Sequence, residues 1–132
     1  ITFLGWAFKK DTNDTRESAA IYVADILIDE QAIIKVYDPK VNASQIQSDI
    51  NKLNSRSEKD NSKYLKIENN PYNAAYGAHA ICILTEWDEF KSYDWQRIFD
   101  NMQKPAFIFD GRNILDKKAL ENIGFVYKGI GS

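Results

Sequence analysis

Four cations stand where this chain would gather them for binding. Lys9 and Lys10 follow the apolar run Ile1–Leu4 and Gly5, Arg16 precedes a helical repeat, and Arg112 follows the run Ala106–Phe109 through Asp110-Gly111. A parallel α/β sheet sets the loops that follow its strands along one edge, so these side chains are expected to converge there. Cations beside helix N-termini suit a phosphate-bearing ligand. Each residue also has a plainer reading. Lysines after a first strand are commonly solvated, Arg16 can pair with Asp14 or Glu17, and Gly111 can serve only to supply a positive φ. Trp87 and Trp95 read as packing.

Asp38 ends the second strand-like run, where a dinucleotide fold places the carboxylate that binds a ribose. That role needs G-x-G-x-x-G after the first strand, and this loop reads Gly5-Trp6-Ala7-Phe8-Lys9-Lys10. The glycines that let a pyrophosphate approach the backbone are missing. Asp38 is therefore expected to cap or terminate a turn. No catalytic set stands out: Cys82 lies inside an apolar run without an adjacent base, and the carboxylates are scattered. His79 is the lone histidine, so no metal site is expected.

The elements that must position these residues alternate in type. Ile1–Leu4, Ile33–Tyr37, Tyr64–Ile67, Ala78–Leu84, Ala106–Phe109 and Phe125–Lys128 read as strands. Ser18–Glu30, Ala43–Leu53, Pro71–Tyr76, Tyr93–Met102 and Lys117–Asn122 read as helices, with Thr15 a candidate N-cap for the first. Asn54–Lys63 contains no hydrophobic residue and reads as a surface loop. Such alternation predicts a single α/β domain over 1–132, Rossmann-like, with a mostly parallel open sheet and helices on both faces.

Composition agrees with a packed fold. Hydrophobic residues make up 44% of the 132 residues, and a net charge of -2 offers no footprint for nucleic acid. No apolar run approaches the roughly 20 residues of a membrane span, and no signal-peptide pattern opens the chain. One cysteine cannot form an intrachain disulfide, so a cytoplasmic location is expected. Two triplets, Asn13-Asp14-Thr15 and Asn42-Ala43-Ser44, match the glycosylation acceptor pattern, but nothing else points to secretion. With no initiator Met and a strand-like first residue, the chain reads as starting inside a longer protein.

The stretch from Gly5 to Ser18, GWAFKKDTNDTRES, closely resembles the opening of the C-terminal domain of UDP-glucose 6-dehydrogenases, most like the animal type. Similar blocks follow in the family's order at Tyr37–Val41, Tyr76–Ala80, Thr85–Asp88 and Lys104–Arg112. Asn51–Lys66 has no clear counterpart, Trp6 replaces an expected Phe, and Asn13 replaces an expected Gly.

The resemblance implies an oxidoreductase that converts UDP-glucose to UDP-glucuronate in two oxidations, consuming two NAD. It places Phe8, Lys9 and Arg112 on substrate contacts and Arg16 on a contact to NAD across a domain cleft. No catalytic residue falls within this chain, which by itself is expected to be inactive; the nucleophilic Cys and most of the NAD site belong to other parts of such an enzyme. Implied partners are UDP-glucose, the rest of the polypeptide, and further copies in dimers and hexamers. A dehydrogenase of GDP-mannose or UDP-N-acetylmannosamine, or a non-catalytic assembly module, are the alternatives.

Overall fold

Six short apolar segments lie side by side in the structure, a computed structural model that describes residues 1–130. They are β1 (Thr2–Leu4), β2 (Ile34–Tyr37), β3 (Leu65–Ile67), β4 (Ala80–Ile83), β5 (Phe107–Asp110) and β6 (Val126–Gly129). All pair in parallel, in the order β3-β2-β1-β4-β5-β6. That is the doubly wound order, with the switch point between β1 and β4. Central β1 is apolar on both faces for this reason: Phe3 pairs with Val36 on one side and Cys82 on the other, and all three β1 residues are buried.

The helices are α1 (Ala19–Asp29), α2 (Ala43–Asn51), α3 (Glu58–Tyr64), α4 (Pro71–Ala75), α5 (Trp95–Asp100) and α6 (Lys117–Ile123), with a 3₁₀ turn at Asp88–Ser92. Right-handed crossovers put α1 and α2 on one face and α5 and α6 on the other. The first helix buries Ala20, Ile21, Ala24 and Ile28, the spacing of one helical face. Ile46 and Ile50 of α2 reach the same layer, and full burial of each such side chain contributes about 1.5–3 kcal/mol. None of these helices is long and apolar enough to cross a membrane. On β5 and β6 one sheet face is thinly covered, so Phe109 and Val126 stay exposed and Phe109 stacks on Phe107 at 6.1 Å between centroids.

Two local expectations are corrected. Ser18, not Thr15, caps α1: its Oγ accepts from Ala20 N at 3.3 Å and donates to the Trp6 carbonyl at 2.7 Å. A hydroxyl that serves both partners ties the helix start to the exit of β1, while Thr15 is buried and lends only its carbonyl to Ser18 N. Asn54–Lys63 is not a plain loop, since α3 begins inside it. Ser57 caps that helix by accepting from Asp60 N, and Glu58 and Asp60 lie at its positive end with Lys63 in its last turn. Polar contacts replace the missing apolar face. Arg56 pairs with Asp25 and Asp29 of α1 and donates to Asn61 at 3.0 Å, and Asn61 donates to Asn51 at 2.8 Å.

Candidate functional site at the carboxyl edge of the sheet

At the switch point the exits of β1 and β4 come unusually close. Gly5 sits at φ +103°, and a Cβ there would lie 2.4 Å from Thr85 Oγ1 and 2.6 Å from Thr85 N. Only glycine meets both demands. Thr85 Oγ then donates to the Ala7 carbonyl at 2.7 Å, which draws the loop after β1 onto the end of β4.

Asp38 fixes the same loop from the β2 side. Its Oδ2 accepts from Trp6 N at 2.7 Å, Ala7 N at 2.9 Å and Trp87 Nε1 at 3.2 Å. Its Oδ1 accepts from Lys40 N at 2.8 Å and Val41 N at 3.1 Å. The expected turn cap is present on Oδ1, and Oδ2 adds a second task. In a dinucleotide fold the amides after β1 would face a pyrophosphate. Here those of Trp6 and Ala7 are spent on a buried carboxylate, and the wholly buried Trp6 indole donates to Asp49 at 3.0 Å. The chain's own β1–α1 turn does not fit a dinucleotide.

What the loop presents is its next part. Phe8 N donates to the Asp14 carbonyl at 2.8 Å, closing the segment 8–14 on itself, with Phe8 43% exposed. Arg112 reaches this loop from the end of β5. Its Nη2 donates to the Phe8 carbonyl at 3.1 Å, Nε to the Leu84 carbonyl at 3.1 Å, and Nη1 to Glu86 Oε2 at 2.9 Å. Glu86 Oε1 accepts from Lys10 N at 2.7 Å.

Under Arg112 the turn is anchored by Asp110, which is 1% exposed and accepts from Arg112 N, Leu115 N and Tyr127 Oη. Burial and the Asp110 carboxylate push the Tyr127 phenol up to about 12, so it stays a donor. Gly111 is not in the positive-φ region, so the plainer reading of it as a positive-φ turn residue does not hold. It is small because a Cβ there would lie 2.9 Å from the Ile83 carbonyl.

The other cations divide. Lys9 is exposed, and no carboxylate among the described residues holds it as an ion pair. Lys10 turns its ammonium to Asp88 at 3.5 Å. Arg16 donates from Nε and Nη2 to Asp14, the Nη2 bond being 2.8 Å, with its side chain 88% exposed. That hydrogen-bonded guanidinium holds the Asp14 carboxyl down at about 2. Phe8, Asp14, Arg16 and Glu17 line one depression of about 260 Å³. Of the four cations expected along one edge, Arg112 latches the loop that carries Phe8 and Lys9, Arg16 lines a depression with Phe8, and Lys10 is drawn aside to Asp88.

The expectations missed Glu86, although Thr85-Glu86 directly follows the buried strand β4. A larger cleft of about 470 Å³, lined by Ile1, Ile33, Tyr76 and His79 among others, lies at the amino ends of the strands, away from this rim. Among the described residues no group of three or more His, Cys, Asp or Glu could hold a metal ion. Cys82 is partly buried, and desolvation pushes its thiol up to about 11.

Residues 2–117 match the model of the UDP-glucose/GDP-mannose dehydrogenase family, UDP binding domain. The UDP-glucose 6-dehydrogenase of Caenorhabditis elegans is 51% identical over 132 residues, covering 100% of this chain and 27% of that protein. UDP-glucose 6-dehydrogenase 5 of Oryza sativa subsp. japonica is 49% identical over 142 residues, covering 99% of this chain and 29% of that protein. The chain thus spans less than a third of the length of these curated relatives. Among solved structures, a UDP-D-ManNAc dehydrogenase from Pyrococcus horikoshii superposes with a TM-score of 0.71 at 30% identity, covering 99% of this chain and 25% of that one. An NDP-N-acetyl-D-galactosaminuronic acid dehydrogenase from Methanosarcina mazei gives a TM-score of 0.75 at 28% identity, covering 98% of this chain and 24% of that one.

Proposed function

Because the chain belongs to the UDP-glucose/GDP-mannose dehydrogenase family, matching its UDP-binding domain, we propose that residues 1–132 hold the UDP moiety of UDP-glucose for a UDP-glucose 6-dehydrogenase. The whole enzyme would oxidise UDP-glucose to UDP-glucuronate with two NAD. The observation that carries this reading is the hydrogen bond from Arg112 to the Phe8 carbonyl, which brings a guanidinium to the loop that carries exposed Phe8 and Lys9. A guanidinium and an ammonium there meet the charge of a diphosphate, and the planar fork of Arg112 adds direction. Phe8 offers an apolar surface beside them.

NAD supplies the hydride acceptor when bound. From this chain Arg16 is the residue proposed to reach it. Its guanidinium is aimed by Asp14 yet largely exposed, which suits an anionic group approaching from another domain. The domain's own switch point is occupied by Asp38 and Trp6, so the rest of the dinucleotide site must come from elsewhere. Cys82, with its thiol pushed up to about 11, is not proposed as a nucleophile. Assembly into dimers and hexamers and a cytoplasmic location are part of the same proposal.

Identity near one half to the UDP-glucose 6-dehydrogenases of Caenorhabditis elegans and Oryza sativa supports glucose as the sugar. The test is a turnover panel on the full-length protein with UDP-glucose, GDP-mannose and UDP-N-acetylmannosamine, read as NADH formation. Highest kcat/KM on UDP-glucose is expected. Preference for either rival contradicts the assignment.

A further inference from the structure

Glu86 bonds both to the loop after β1 and to the arginine that reaches that loop. Its Oε1 accepts from Lys10 N at 2.7 Å and its Oε2 from Arg112 Nη1 at 2.9 Å. Arg112 Nη2 donates to the Phe8 carbonyl at 3.1 Å. Phe8 carbonyl, guanidinium, carboxylate and Lys10 amide therefore form a ring closed through the Lys9 backbone, pinning the chain on both sides of it. The same ring directs the guanidinium. Of its five N–H groups, one goes to Leu84, one to Glu86 and one to Phe8, which leaves one on each terminal nitrogen uncommitted to these partners.

We propose that Glu86 is a positioning residue of the UDP site: it holds Arg112 and the Lys10 amide so that Lys9 and the two remaining guanidinium N–H groups face the diphosphate together. This inference rests on the UDP-binding reading above. It makes a prediction opposite in sign to simple electrostatics. A carboxylate at the rim of an anion site repels the anion, so removing a charge that only sat nearby would tighten UDP binding. Removing a charge that orients the site weakens it.

The test is UDP titration by calorimetry into the full-length protein, beside thermal unfolding, for wild type, Glu86→Gln, Glu86→Asp, Arg112→Lys and the double variant Glu86→Gln/Arg112→Lys. Glu86→Gln keeps the shape and loses the charge; Glu86→Asp keeps the charge and loses the reach. Both are expected to bind UDP more weakly, on the order of tenfold for the loss of a charge-assisted bond. Because Glu86 acts through Arg112, the double variant is expected to fall within about twofold of Arg112→Lys alone. Unchanged or tighter binding by Glu86→Gln, or additive losses in the double variant, overturns the role. Should Glu86→Gln fail to fold, wild-type affinity in Glu86→Asp overturns it equally. A wild type that does not bind UDP brings down the functional reading itself and this inference with it. A wild type that binds, with Arg112→Lys weakened and Glu86→Gln not, removes Glu86 alone.

Discussion

Arg112 Nη2 donates to the Phe8 carbonyl at 3.1 Å, so a side chain at the end of β5 fixes a backbone atom of the loop that leaves β1. The two strands are not neighbours, since β4 lies between them. Arg112 crosses the end of β4 to make the bond, touching the Leu84 carbonyl and Glu86 on the way. One residue is therefore both a candidate ligand contact and a latch on the loop that carries two others, Phe8 and Lys9.

Asp38 is the second latch, and its loss is expected to be structural. Asparagine offers a single side-chain oxygen and presents an NH₂ group where Asp38 accepts five donors. At least two donors, one or more of them buried, lose their acceptor, so Asp38→Asn should cost about 2–4 kcal/mol. Urea unfolding measures it; a midpoint equal to wild type contradicts the hub.

Gly5 and Gly111 are expected to fail to different degrees. Gly5→Ala faces both a φ of +103° and a Cβ 2.4 Å from Thr85 Oγ1, enough to cost about 4 kcal/mol or more. Gly111→Ala meets one carbonyl, Ile83 O at 2.9 Å, without a positive φ, and should cost about 1–3 kcal/mol. Thermal unfolding orders the two, and a larger loss at Gly111 would reverse this account.

Much of this was readable from residue order. Alternating apolar runs and amphipathic stretches located all six strands, and Gly5, Lys9 and Arg112 fell after strands as a parallel sheet requires. The fold's polar solutions were harder to read. Glu58–Tyr64 has too few apolar residues to show a helical period, and its stability comes from Ser57 and from Arg56 reaching back to Asp25 and Asp29. Ser18 displaced Thr15 as a cap because it also bonds the Trp6 carbonyl, a partner twelve residues away that local pattern does not contain. The Glu86 bridge joins residues 76 and 26 positions distant, so no spacing rule exposes it. Gly111 looked like a turn glycine, yet the constraint comes from the neighbouring strand.

Cys82 should react slowly. Burial raises its thiol from 9.0 to about 11, so at pH 8 the thiolate fraction falls from about 10% to about 0.1%. Alkylation at pH 8 should accordingly be about a hundredfold slower than for a free thiol, and a comparable rate contradicts the burial. The sign for stability follows. A folded-state value above the unfolded one means the contribution is intact below pH 9 and is lost as pH rises through about 11. The 132-residue chain alone, given UDP-glucose and NAD, should form no NADH.

Arg16 is expected to separate from the UDP contacts. Arg16→Ala in the full-length protein should raise the KM for NAD several-fold and leave UDP affinity within about twofold. The Asp14–Arg16 pair stays formed at any pH used for such assays, because a carboxyl held near 2 loses its charge only as pH falls toward that value. A large loss of UDP affinity would instead place Arg16 at the substrate.

The central claim is that the Phe8–Arg112 junction receives UDP. Calorimetric titration of UDP into the full-length protein, wild type against Arg112→Lys, tests it most directly. Lysine offers a compact charge without the fork, so it neither latches the Phe8 and Leu84 carbonyls together nor presents paired donors. Wild type should bind, and Arg112→Lys should bind roughly ten- to hundredfold more weakly with its fold retained. Equal affinity in a folded Arg112→Lys protein would contradict the account.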